Sequence, residues 1–211
     1  MENQSGGQIF YMEQASIYGN HLPAMQQACD DILNQIEIVR RKMTQQTGTD
    51  PVEHIRYRLK TEESMRDKCR RRGLPENEHS ALRVLYDAIG IRVVCSFISD
   101  VYHIKDYLTE LANCKVVMEK DYIRKAKSNG YRSYHLILQY EDTYFVEVQL
   151  RTISMDVWAS LEHHLKYKKN IRGNIDLISS ELKRCADELA STDLSMQTIR
   201  DMILEEGDDD R

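Results

Sequence analysis

Apolar and polar residues alternate with a period of two along Tyr144-Phe145-Val146-Glu147-Val148-Gln149-Leu150-Arg151, the spacing of a β-strand. Val146, Val148 and Leu150 then face a core, while Glu147, Gln149 and Arg151 share the opposite face. A carboxylate, an amide and a guanidinium on one face are costly to bury without partners. That face reads either as the floor of a polar pocket or as the solvated side of an edge strand.

Elsewhere the period changes. Ala24, Ala28, Ile32, Gln35, Ile36 and Val39 follow helical spacing, which predicts a helix over 21–44. Gly48-Thr49-Asp50-Pro51 breaks the chain, and Pro51 suits the first turn of a new helix. Thr61-Glu62-Glu63-Ser64 opens a basic helix that Gly73 and Pro75 stop near Arg72. A helix over 78–88 leads through Gly90 into a strand over 91–97, followed by a helix over 101–111. Residues 115–119 and 136–140 read as strands, and 153–167 and 175–205 as helices, with Trp158, Leu161 and Leu165 as core positions. The predicted class is α/β (α+β): a mixed β-sheet flanked by helices, with long helices at both ends. The organisation expected is a flexible arm over 1–20, a domain over 21–170, a helical extension over 171–205 and an acidic tail over 206–211.

Charge refines this picture. The net charge is -5, yet residues 56–72 hold eight Lys or Arg against three acids. A local basic excess in an acidic chain points to a discrete anion site rather than a general nucleic-acid surface. The five cysteines show no CxxC spacing, so neither a disulfide framework nor a structural zinc is expected. No run of about 18 apolar residues and no leader pattern is present, so a cytoplasmic protein without membrane association is expected.

Candidate chemistry lies on both sides of the basic segment. Ser64, Lys68 and Arg71 fall on one helical face, with Arg58 and Lys60 just ahead, a set able to converge on polyphosphate. A solvated basic face is the alternative. Asp87, with Glu147 on another strand, supplies the carboxylates that magnesium takes alongside substrate phosphates. Asp87 as a helix-terminal cap or a partner of Arg92 is the other reading. Gly130-Tyr131-Arg132-Ser133-Tyr134-His135 offers an aromatic ring for a base and a histidine near phosphate, with Lys120 and Lys127 upstream. Asp156, Glu162, His163 and His164 on the following helix spread around it rather than converge on a metal.

Taken in order, Arg58 to Arg71, Asp87 to Arg92, Lys120 to His135, Glu147 to Arg151 and Asp156 to His163 resemble the synthetase domain of the RelA/SpoT family, in particular the small alarmone synthetases, over about 51–168. The resemblance implies a nucleotidyltransferase-like fold. It also implies transfer of the β,γ-pyrophosphate of ATP to the ribose 3′-hydroxyl of GDP or GTP, with Mg2+ as cofactor. On this resemblance Arg58, Lys60, Ser64, Lys68 and Arg71 bind ATP, Arg92 stacks on adenine, and Asp87 and Glu147 hold magnesium. Glu147 activates the acceptor hydroxyl and Tyr131 stacks on guanine. His135, Lys120 and Lys127 meet the acceptor phosphates, while Gln149 and Glu162 line the acceptor site. Two departures stand out: Ala88-Ile89 reverses the family's usual Ile-Ala pair, and Ala126 replaces a frequent proline. No His-Asp dipeptide of the family's hydrolase occurs, so synthesis without hydrolysis is expected. A homotetramer through the helices at 21–44 and 175–205 is implied, with packing of those helices within the chain as the alternative, and a regulatory nucleotide or RNA partner is left open. Transfer to tRNA or to an adenine nucleotide, and a non-catalytic binding module, are the competing functions.

Overall fold

The computed structural model describes residues 15–167 and 174–209. The first fourteen residues of the expected arm, the expected boundary at 170/171 and the last two residues of the expected acidic tail lie outside them. The elements run α1 (Leu22–Thr47), β1 (Val52–Leu59), α2 (Glu62–Arg72), β2 (Ile89–Cys95), α3 (Ile98–Thr109), β3 (Cys114–Asp121), β4 (Tyr134–Tyr140), β5 (Tyr144–Thr152), α4 (Ile153–Tyr167) and α5 (Ile175–Asp209).

The sheet order is β1-β2-β5-β4-β3, with β2 and β5 parallel and the other pairs antiparallel. Register makes one face apolar. Ile89, Ile91 and Val93 of β2 pair with Val146, Val148 and Leu150 of β5, which pair in turn with Leu138, Leu136 and Tyr134 of β4. All nine are buried. Helices α1 and α3 pack over this face, α1 through Met25, Ala28, Cys29, Ile32, Ile36 and Val39. Each large aliphatic side chain so covered contributes about 1.5–3 kcal/mol. The opposite face stays open in its central part and carries the polar residues.

Three expectations about elements change. The stretch after Pro51 is not a helix but β1. Its residues Ile55, Tyr57 and Leu59 alternate with Arg56 and Arg58, and β2 supplies a partner, with Ser96 N–H bonding to Pro51 O at 3.0 Å. Tertiary pairing overrides the helix-start signal of an isolated proline. The helix expected over 78–88 shrinks to one wide turn at Ser80–Val84, in which Leu85 N–H bonds to Ser80 O at 3.0 Å. Beyond it Tyr86 packs on Phe145 and Lys60 N–H bonds to Ala88 O, so the chain is drawn into the sheet. On α4, Trp158 is buried, whereas Leu161 and Leu165 are exposed.

The expected flexible arm is also revised where it is described. Ile17 and Tyr18 are buried, and the Tyr18 hydroxyl donates to Lys60 O at 2.7 Å. Glu62 accepts from Ser16 Oγ and from the Ile17 N–H. Residues 15–20 therefore brace the junction of β1 and α2. The basic helix forms as its signals require: Thr61 caps it by accepting from Ser64 N–H, and Gly73 closes it at φ 66°.

Candidate active site

Residues paired across neighbouring strands point to the same face. Two rungs therefore cross the open face. One runs Arg58–Gly90–Glu147–Ile137–Met118 and the next Arg56–Arg92–Gln149–His135–Lys120, from β1 through β2, β5 and β4 to β3. Arg56, Arg58, Asp87, Arg92, Glu147 and Gln149 line an open pocket of about 320 Å3. Register brings all of these together except Asp87, which lies just ahead of β2, and the missing side chain at Gly90 leaves room beside Glu147.

One wall of the pocket is the start of β2 facing α2. Lys60 and Lys68 both pair with Asp87 Oδ2, Lys68 at 2.6 Å. Burial pushes the Asp87 carboxyl up, but the two ammonium groups more than offset it and hold it below the usual range. Among the described residues, Asp87 Oδ1 is buried and has no hydrogen-bond partner. A buried carboxylate oxygen in that condition is costly unless a ligand or ion completes it. Ser64 lies at the helix start and accepts from Thr61 Oγ1 at 2.8 Å, while Arg71 is exposed on the same face at the helix end. The alternative pairing of Asp87 with Arg92 does not occur; Arg92 turns to Asp156, 3.4 Å away.

Beyond the residues that line this pocket, the open face is bounded on the far side of His135 by a second wall, the loop from Tyr122 to Ser133. Asn129 Nδ2 donates to Glu162 at 3.2 Å, and Asn129 Oδ1 accepts from Tyr131 N–H, which ties the loop to α4. Tyr131 and Tyr122 meet His135 edge-on, and Lys127 Nζ lies 4.8 Å from the Tyr131 ring centre. Lys120 is exposed on β3 opposite His135. Gly130 has φ 91°, and a Cβ there would stand 2.6 Å from Ala186 Cβ of α5. Arg132 reinforces the contact through Asp187 at 2.9 Å.

His135 stands between the walls. Its Nδ1 lies 3.3 Å from Glu147 Oε1 and its Nε2 lies 2.8 Å from the Tyr131 hydroxyl. Burial raises the Glu147 carboxyl, but hydrogen bonds from His135 and Gln149 carry it below the usual glutamate range. Arg151, expected to line the pocket with Gln149, is instead only 4% exposed. It donates to Asp156 Oδ1 at 2.9 Å and to the Tyr131 hydroxyl at 2.8 Å.

Sequence reading missed Arg56, Tyr122 and Asp156 as site residues. Arg56 was legible, since it precedes Arg58 by one strand period. Asp156 carries no local signal, because its role follows from α4 starting directly after β5 and folding its first turn back over Arg151. Among the described residues no cluster of three or more His, Cys, Asp or Glu is placed to hold a metal.

The profile of the region found in RelA/SpoT proteins matches residues 57–172. The chain belongs to the RelA/SpoT family. Among relatives of this synthetase-like chain, GTP pyrophosphokinase YwaC of Bacillus subtilis is 35% identical over 175 residues, 80% of this chain and 83% of the relative. GTP pyrophosphokinase YjbM of the same organism is 32% identical over 187 residues, 85% and 86% of the two chains. Small alarmone synthetase 1 from B. subtilis, solved with its product pppGpp, superposes with a TM-score of 0.75 at 29% identity, covering 87% of this chain and 96% of that one. Small alarmone synthetase 2 gives a TM-score of 0.74 at 34% identity, over 87% and 98%. The mixed sheet with flanking helices expected from the sequence is thus the fold of the family member, and its class is that of the small alarmone synthetases.

Proposed function

We propose that the pocket transfers the β,γ-pyrophosphate of ATP to the 3′-hydroxyl of GDP or GTP, giving AMP and ppGpp or pppGpp. The observation that carries this reading is the opposition of two walls across Glu147: cations and an incomplete carboxylate on one, an aromatic loop with its own cations on the other. Arg58, Lys60, Ser64, Lys68 and Arg71 take the ATP phosphates, and Arg92 the adenine. Tyr131 takes the guanine, while Lys120, Lys127 and His135 serve the acceptor phosphates and Gln149 and Glu162 shape that side. Glu147 accepts the 3′-hydroxyl proton as the oxygen attacks the β-phosphorus. The bond from that phosphorus to the α-phosphate oxygen breaks, and AMP leaves. Positioning and charge supply most of the rate.

Magnesium fits the residues present, because Asp87 Oδ1 is a buried oxygen with no partner among the described residues, beside a second carboxylate. Asp87 and Glu147 would hold it, and it would neutralise the donor phosphates. Lys60 and Lys68, now on Asp87 Oδ2, are the groups freed to meet those phosphates. We place the protein in the cytoplasm; among the described residues no helix is long and apolar enough to cross a membrane. A homotetramer is the assembly we propose, with Met196, Ile199, Met202 and Ile203 of α5, all exposed, as contact residues. The synthetase unit is proposed as 21–170, the helical extension as 171–205.

The test is a product assay with purified protein, Mg2+ and γ-labelled ATP, offering GDP, GTP, GMP, ATP alone and total tRNA as acceptors. Label in ppGpp or pppGpp, lost in Glu147→Ala, is the expected result. Label on tRNA or adenine nucleotides would replace the acceptor, and no transfer to any would reject catalysis. A second expectation concerns the loop. Gly130→Ala forces a Cβ onto Ala186 at positive φ, a strain of about 1–3 kcal/mol. The acceptor KM should rise while the KM for ATP stays near wild type; equal changes in both would remove the loop from acceptor binding.

A further inference from the structure

Two arginines that serve opposite ends of the open face share the carboxylate of Asp156. Its Oδ1 accepts from Arg151 Nη1 at 2.9 Å and from Arg92 Nη1 at 3.4 Å. Arg92 lines the pocket, whereas Arg151 reaches the other way and donates from Nη2 to the Tyr131 hydroxyl at 2.8 Å. We propose that Asp156 is a positioning residue common to both nucleotide subsites, so that filling either one steadies the other. One oxygen anchors Arg92 at the donor base and, through Arg151, Tyr131 at the acceptor base. What each subsite holds rests on the pyrophosphate-transfer reading above.

The anchor is built where the chain passes from β5 into α4. Arg151 and Thr152 end the strand, and Thr152 Oγ1 accepts from Met155 N–H, which sets Asp156 in the first helical turn. Asp156 and Arg151 are both buried, so water screens their charges little. Arg92 leans on this acid. Among the described residues its Nε is buried without a partner, and Arg56 stands opposite it on β1 as a like charge. Burial, and Arg151 after it, disfavour the Arg92 charge, and Asp156 works against both. The second oxygen of Asp156 is 3.9 Å from His54 Nε2, too far for a hydrogen bond.

Coupling follows from the sharing. Arg151 is fixed on its other sides by Ser133 Oγ at 3.3 Å and Gln149 Oε1 at 3.2 Å. Arg92 has the freer guanidinium, its side chain 34% exposed against 5% for Arg151. A base stacked on Arg92 holds it still, and with it the oxygen that Arg151 also uses. A base on Tyr131 acts along the same bonds in reverse, as linkage between two binding sites requires.

The test measures the affinity for α,β-methylene ATP, which cannot release AMP, with and without saturating GDP in the presence of Mg2+. In wild type, GDP should tighten the analogue by about fivefold or more. In Asp156→Asn, which keeps the shape and loses the charge, that ratio should fall to within about twofold of unity. Tyr131→Phe is the second variant, and it decides the matter if Asp156→Asn fails to fold. It keeps Asp156, Arg151 and the ring, and removes the hydroxyl that Arg151 holds. There the analogue alone should bind as in wild type, while the effect of GDP on it is lost. A purely structural Asp156 would weaken the analogue equally with and without GDP, leaving the ratio at its wild-type value. That result, an unchanged ratio in Tyr131→Phe, or no coupling in wild type overturns the proposal. Coupling that follows this pattern in a protein transferring no pyrophosphate would reject the reaction and keep the shared anchor.

Discussion

Glu147→Gln is expected to lower the rate of pyrophosphate transfer by about 10²–10⁴-fold, the usual worth of a positioned proton acceptor. The amide keeps the shape and the bond from His135 Nδ1 but has no charge to draw the 3′-hydroxyl proton. Nucleotide binding should change far less than turnover, so the loss belongs in kcat. The variant should be slightly less stable than wild type near neutrality, because the folded state favours the ionised carboxylate that His135 and Gln149 hydrogen-bond. Single-turnover product formation and a thermal melt check both halves. Turnover above about a tenth of wild type would remove Glu147 from the proton-acceptor role that the pyrophosphate-transfer reading assigns it. In wild type the Glu147 carboxyl sits below its ordinary range, so its contribution is present above the unfolded value and vanishes only as pH falls through that lowered folded value. Acid inactivation beginning well above pH ~4.3 therefore has another origin.

The second large effect is structural. Arg200 of α5 meets Asp100 Oδ1 at 2.7 Å and lies over the Phe97 ring, while Asp100 is fully buried and also accepts from Phe97 N–H at 3.2 Å. Arg200→Met keeps most of the packing and leaves Asp100 without its cation. A loss of about 3–5 kcal/mol is expected near pH 7. Burial raises the Asp100 carboxyl even with Arg200 present, and without it the shift grows. A carboxylate with a raised folded value binds more protons folded than unfolded, so stability falls as pH rises between the two values. The penalty of Arg200→Met should therefore be small near pH ~4 and full near neutrality. Denaturant unfolding at both pH values measures it; a penalty independent of pH would mean that packing alone, and not the ion pair, holds α5 down.

Much of the centre of this molecule was legible because it obeys local rules. The period of β5 separated its core face from its polar face, and Thr61, Gly73 and the basic run marked α2 at both ends. What escaped depended on contacts distant in sequence. Residues after Pro51 become a strand because β2 offers a ladder, and Asp87 leaves the predicted helix because Lys60 and Lys68 draw it to the pocket. Ile17 and Tyr18 are buried only because β1 and α2 build a surface for them. Asp156 looked like one acid among several on α4, and only the fold sets it against Arg151.

The two-residue period of β5 also has a consequence for variation. Val146, Val148 and Leu150 hold the protein together, and Glu147 and Gln149 face the pocket, so tolerance to substitution should oscillate along the strand. Replacements at the even positions will be read as lower abundance, with whatever protein survives still competent. Replacements at 147 and 149 will be read as near-normal abundance of an idle protein, since their side chains face the pocket rather than the core. A lineage can thus silence this synthetase through one set of codons without shedding the protein, and keep its α5 surface available for other uses.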